Sequence, residues 1–146
     1  MLQRNDDFYD HMKQKLLTTL EMVENYTTGV AELMTEEGYE FKPADTVWNF
    51  RELIHHLAYG IYWWEDNFIR RKTVGWAPPV VPTTRQETLH YLGQAFASLK
   101  KTVQGIEATD DVIYGFFATM DHITHHRGQA TIYLRCQGIT PPEYVF

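Results

Sequence analysis

The sequence predicts an all-α protein, a four-helix bundle made by one domain spanning residues 1–146. The six prolines fall in only three places, Pro43, Pro78/Pro79/Pro82 and Pro141/Pro142, and leave long uninterrupted stretches between them. Within those stretches apolar residues recur at three- and four-residue steps, and no segment alternates apolar with polar residues as a half-buried strand would. A chain of 146 residues is long enough to bury a core without disulfides or a structural metal.

The first helix is expected from about Asn5 to Tyr26, where Tyr9, Met12, Leu16, Leu20 and Val23 form one apolar stripe. An extra turn around Val30 to Met34 and an irregular Gly38 to Pro43 connection follow. The second helix opens at Asn49, with Glu52 three residues on, so that the two can exchange capping-box hydrogen bonds. Its stripe reads Phe50, Leu53, Leu57, Ile61, Trp64 and Phe68, and it ends near Lys72. A proline-rich loop from Thr73 to Thr83 then crosses one end of the bundle. The third helix begins with a second capping box, Thr84 and Glu87, and offers Leu89, Leu92, Phe96, Leu99 and Val103 to the core. Thr109, Asp110 and Asp111 suit the N-terminus of a fourth helix, which runs to about Gln137 with Gly138 as a left-handed cap and Pro141-Pro142 beyond it.

Hydrophobic residues at 44% and charged residues at 22% describe a chain that folds by itself rather than a disordered one. The formal net charge of -6 argues against a nucleic-acid partner, and the short Arg70-Arg71-Lys72 run reads as a solvated helix terminus. No stretch approaches the roughly 20 apolar residues that a membrane span needs. The lone Cys136 cannot form an internal disulfide, and residues Met1 to Asp10 are too polar for a signal peptide, so the expected location is the cytoplasm. Cys136 itself is expected as a buried small hydrophobe.

The seven histidines are unevenly spread. Three lie in DHITHHRGQ on the fourth helix and two in FRELIHHLAYG on the second. Relative to the centre of the apolar stripe, helical geometry puts His126 at about 80°, His122 at about 120° and His125 at about 180°, so His125 faces solvent. His122 and His126 are an i,i+4 pair with Cβ atoms about 5–6 Å apart, close enough to share one ion. On the second helix His56 stands about 110° from its stripe and His55 about 150° away on the other side. His56 is therefore the better third ligand, provided that the second and fourth helices are neighbours. Three neutral imidazoles with a fourth position open suit zinc, nickel or ferrous iron. Spacing alone leaves a plain alternative, since histidines beside an apolar stripe are commonly boundary residues. Ile123 after His122 rules out the HExxH pattern of zinc peptidases.

Two longer segments carry a family resemblance. These are VWNFRELIHHLAYG (Val47 to Gly60) and DHITHHRGQATIYLRCQGITPPEY (Asp121 to Tyr144), in which His56 matches the family's first histidine and His122 and His126 match its H-x-x-x-H pair. On these the chain resembles the DinB/YfiT-like superfamily of small helical-bundle metalloenzymes, over nearly its whole length. The resemblance implies a four-helix bundle of unusual handedness, a three-histidine divalent metal centre at one end of it, a small-molecule substrate and a homodimer. It also implies thiol-dependent S-transfer, with bacillithiol, mycothiol or glutathione as the low-molecular-weight thiol cosubstrate in some relatives. A bound metal ion would lower the pKa of a thiol or water, so metal-assisted hydrolysis is the neighbouring expectation. The other classes left open are a metal- or ligand-binding bundle without turnover and a dimeric scaffold.

Further candidates each have a structural alternative. Glu52, one turn before His56, can orient its ring or act as a base, though the capping box claims it first. Gln129 and Tyr133 continue the His122/His126 face and can meet substrate, or be solvated or packed. Arg127, near the centre of the apolar stripe, can snorkel to the bundle end, pair with an acid or hold an anion. Tyr59, Tyr62, Trp63 and Trp64 are expected in the core, with a pocket or a dimer contact as the other options.

Overall fold

A computed structural model of the chain describes residues 2–144, with side chains from residue 7 onward. Its order is α1 (Leu2–Leu33), a 3₁₀ turn (Glu37–Glu40), α2 (Phe50–Trp64) running into a π-helical segment (Glu65–Ile69), α3 (Arg85–Gly105) and α4 (Asp110–Cys136). No strand occurs among the described residues. α1 and α2 each pack against both α3 and α4, so α1 stands diagonally opposite α2. This differs from an up-and-down bundle, where consecutive helices are neighbours.

α1 is longer than its stripe suggested. Instead of stopping near Tyr26 it continues as one helix to Leu33, taking in most of the expected Val30 to Met34 turn. Thr27 and Thr28 are weak helix formers, but tertiary burial overrides propensity. Leu16, Leu20, Val23, Thr27, Val30 and Met34 make one buried 4-3-4-3-4 seam. The two capping boxes form as read, with Glu52 N donating to Asn49 Oδ1 and Glu87 N to Thr84 Oγ1. Thr109 caps α4, and Gly138, at φ 72°, closes it in the left-handed conformation that glycine adopts without strain.

α2 departs most from its sequence pattern. Its last turn is π-helical, with Arg70 N donating to Glu65 O, and the expected α-helix to Lys72 does not form. Glu65 and Ile69 take the core positions, while Trp64 and Phe68 stay half-buried and stack on each other at 4.5 Å. A buried carboxylate is costly unless its oxygens are engaged. Ser98 and Thr102 of α3 donate to Glu65, and Arg70 pairs with it at 2.9 Å. The basic run is exposed, as expected of a solvated helix terminus, with Arg71 beside Asp111 and Lys72 beside Asp66 at 3.6 Å each.

The π-helical segment lies directly against α4. A Cβ added at Gly115 would stand 2.1 Å from the Phe68 carbonyl oxygen, which belongs to backbone and cannot swing aside. Gly115→Ala is expected to cost about 2 kcal/mol as an overpacking defect. An unchanged urea midpoint would rule out this close approach.

Candidate metal centre

α2 and α4 are adjacent and antiparallel, and one register runs along their contact. Trp48 meets Tyr133, His56 meets His126, Gly60 meets His122 and Phe68 meets Gly115. That register brings together the three histidines selected from the sequence. His56 Nε2 and His126 Nε2 are 3.0 Å apart, and one ring nitrogen from each of His56, His122 and His126 lies within 4.8 Å of the others. Nitrogens about 2.0–2.1 Å from a tetrahedral ion stand roughly 3.3 Å from one another, so the first pair is already near that spacing. The other separations, up to 4.8 Å, have to close by side-chain rotation for one ion to be held by all three.

The three rings are built to be neutral. Burial, reinforced by the neighbouring histidines, pushes His56 down to about 4 and His122 down to about 3. Burial also lowers His126, against the opposing effect of its hydrogen bond to Gln129. Near pH 7 all three are therefore neutral, and each keeps one ring nitrogen with a free lone pair. His126 Nδ1–H donates to Gln129 Oε1 at 2.9 Å, which leaves Nε2 as the lone-pair nitrogen on the side facing His56. His122 Nε2 is buried without a hydrogen-bond partner. Such an orphan costs about 1–3 kcal/mol unless a ligand engages the ring. Neutral nitrogen donors, close spacing and an orphaned buried ring together fit a divalent ion, and the cluster can hold one.

Glycine makes the space for this ring. A Cβ at Gly60 would fall 1.9 Å from His122 Nε2, so His122 occupies the volume that a larger residue at 60 would fill. A glycine in a helix interior calls for a packing reason, and this is the signal in the sequence that could have pointed to it.

The remaining candidates fall outside the three-ring cluster. Glu52 completes the capping box, accepting from Asn49 N at 2.8 Å, although it also borders a small cavity with His55 and His56. Tyr133 is buried and donates to Trp48 O at 2.8 Å, so it fixes the loop before α2. Gln129 is the one that touches a cluster histidine. Gln129→Ala is expected to weaken metal binding about tenfold, the usual scale for a partner that orients a ligand. Competition against a chromophoric chelator measures this, and unaltered affinity would remove Gln129 from the site.

Several expectations are corrected here. His55 is more buried than His56, at 3% exposure, and stacks on Tyr91 of α3. The reason is that α2 is covered on two sides, by α3 and by α4, and a single stripe axis misses the second. His125 is exposed as expected. Cys136 is exposed, not buried. Arg127 is buried, and its guanidinium lies over the rings of Tyr26 and Tyr144 at 4.9 and 5.5 Å, a cation–π arrangement outside the three options considered. Tyr59, Tyr62, Trp63 and Trp64 are half-buried rather than core.

Two of those aromatics tether the Thr73 to Thr83 loop. Trp63 Nε1 donates to Val74 O, and Ala77 N donates to Tyr59 Oη. The tether brings Trp76 to 5.2 Å from His56, between ring centroids, while Trp48 approaches the same ring at 4.5 Å. Sequence reasoning missed both indoles, because loop residues carry no periodicity.

Comparison with known proteins agrees with this architecture. The family model described as the DinB superfamily matches residues 19–130, a span that includes all three histidines. A DinB-like protein from Bacillus cereus has a crystal structure similar to this one, with a TM-score of 0.78 at 18% identity, covering 90% of this chain and 97% of that one. A DinB-like protein from Bacillus subtilis gives a TM-score of 0.69 at 16% identity, over 90% and 96% of the two chains. No curated protein matches the sequence. With its four-helix fold and the family match over most of its length, the chain belongs to the DinB superfamily.

Proposed function

We propose that this protein is a metal-dependent enzyme acting on a small molecule, with zinc, nickel or ferrous iron held by His56, His122 and His126. The reaction is transfer of a low-molecular-weight thiol to an electrophile, with hydrolysis as the second choice. The convergence of three neutral imidazoles from two helices on one point carries this reading. Three nitrogen donors leave a coordination position for a substrate or thiol.

A bound divalent ion supplies Lewis acidity, which makes a sulfur or oxygen nucleophile available near neutral pH. The chain's own groups do the remainder. Gln129 holds His126 in the tautomer whose Nε2 is a donor to metal. Gly60 admits the His122 ring. Trp48 and Trp76 border the His56 ring. Metal-loaded protein should turn over members of a thiol-conjugation panel, with activity lost on chelation and restored by metal. A metal-loaded protein inert towards both that panel and an ester and amide panel would defeat the enzyme reading and leave a metal-binding bundle.

A further inference from the structure

The surroundings of the cluster discriminate between kinds of ligand. Two cavities, of about 220 and 460 Å³, lie against Trp48, one beside His56 and the other beside Gln129 and Tyr133. No lysine or arginine lines either of them, and the one carboxylate, Glu52, is tied to Asn49 N. Arg51 is directed elsewhere, pairing with Glu40 at 2.6 Å and donating to Pro82 O. Among the described residues, therefore, no lysine or arginine lines the space where a carboxylate, sulfonate or phosphate on a ligand against Trp48 would lie. Aromatic surface, by contrast, is available. Trp48 is 44% and Trp76 46% exposed, and both indoles lie against the His56 ring. Hydrogen bonds between a tyrosine hydroxyl and backbone, Tyr133 Oη donating to Trp48 O and Ala77 N donating to Tyr59 Oη, hold these two segments in place. The segments that carry the indoles are thus tied to the bundle before any ligand arrives, which lowers the entropy cost of packing on them.

We propose that the small molecule taken by this site carries a flat, uncharged apolar group that packs against Trp48 and Trp76 beside His56. The proposal rests on the metal-site reading above and adds the class of substrate. Beyond the metal ligands, the surroundings that meet the rest of the ligand are those two indoles, with no lysine or arginine in the lining among the described residues.

Two thiols with the same donor atom and opposite tails test this, phenylmethanethiol and 2-mercaptoethanesulfonate. Each is titrated into cobalt(II)-loaded protein, and the visible absorption of the ion reports coordination. Phenylmethanethiol is expected to bind about tenfold more tightly, the scale of one or two aromatic contacts. Trp48→Ala and Trp76→Ala should each cut that preference to about threefold or less, while Trp48→Phe and Trp76→Phe keep most of it. Both indoles are half-exposed in loops, and an unchanged thermal midpoint in the alanine variants shows that the bundle persists. Equal binding of the two thiols, or preference for the sulfonate, overturns the proposal and leaves the metal centre standing. Absence of any cobalt spectrum overturns the metal centre, and the substrate class with it.

Discussion

Replacing His56, His122 or His126 by alanine is expected to lower affinity for a divalent ion by about 100-fold or more in each case. Loss of an orienting partner already costs 10–100-fold, and loss of a donor removes a bond outright. His125→Ala should leave affinity unchanged. This control is demanding, because the His125 ring is only 4.8 Å from that of His126. Its distinction is that it is exposed, with Gln129 Nε2 near its own Nε2 at 3.4 Å. The double variant His56→Ala/His122→Ala should bind scarcely worse than either single one, since residues acting as a unit are not additive. Metal content after dialysis against a chelator gives the answer. Equal losses from His125→Ala and His122→Ala would mean that the wrong face of α4 had been chosen.

Gly60→Ala should separate stability from metal binding. Alanine is the better helix former by about 1 kcal/mol, and Gly60 lies well inside α2. The added Cβ meets the tip of a side chain, His122, which can rotate away, in contrast to the immovable Phe68 carbonyl opposite Gly115. Helix content should survive, with a change in unfolding free energy under about 1 kcal/mol, while metal affinity falls about 100-fold because the ring is displaced. Adding His122→Ala to Gly60→Ala empties the contested space, so the pair should be more stable than the two single effects predict. A Gly60→Ala protein that binds metal as well as the parent would show that the ring does not use this volume.

Most of the fold was legible because local rules decide it. Asn49 with Glu52, Thr84 with Glu87, and Thr109 mark helix starts through hydrogen bonds that span only three residues, and Gly138 marks an end through its backbone freedom. Glu65 was not legible. Its burial depends on Ser98 and Thr102 of another helix and on one π-helical turn, and neither is written in the spacing of α2. His55 was misplaced for a related reason, since its burial comes from Tyr91 of α3.

The candidate site divides along the same line. The i,i+4 relation of His122 and His126 follows from helical periodicity, and an amphipathic stripe is enough to put His125 on the opposite face. Those features belong to the sequence by itself, as do the four helices and their caps. Whether His56 reaches the pair depends on α2 lying beside α4 in antiparallel register, and the pairing of Gly60 with His122 depends on that register too. The approach of Trp48 and Trp76 to His56 depends further on loops tethered from distant residues. Periodicity sets the angular position of a side chain on its own helix. The choice of neighbouring helix and the axial register come from packing among all four, which only the tertiary structure decides.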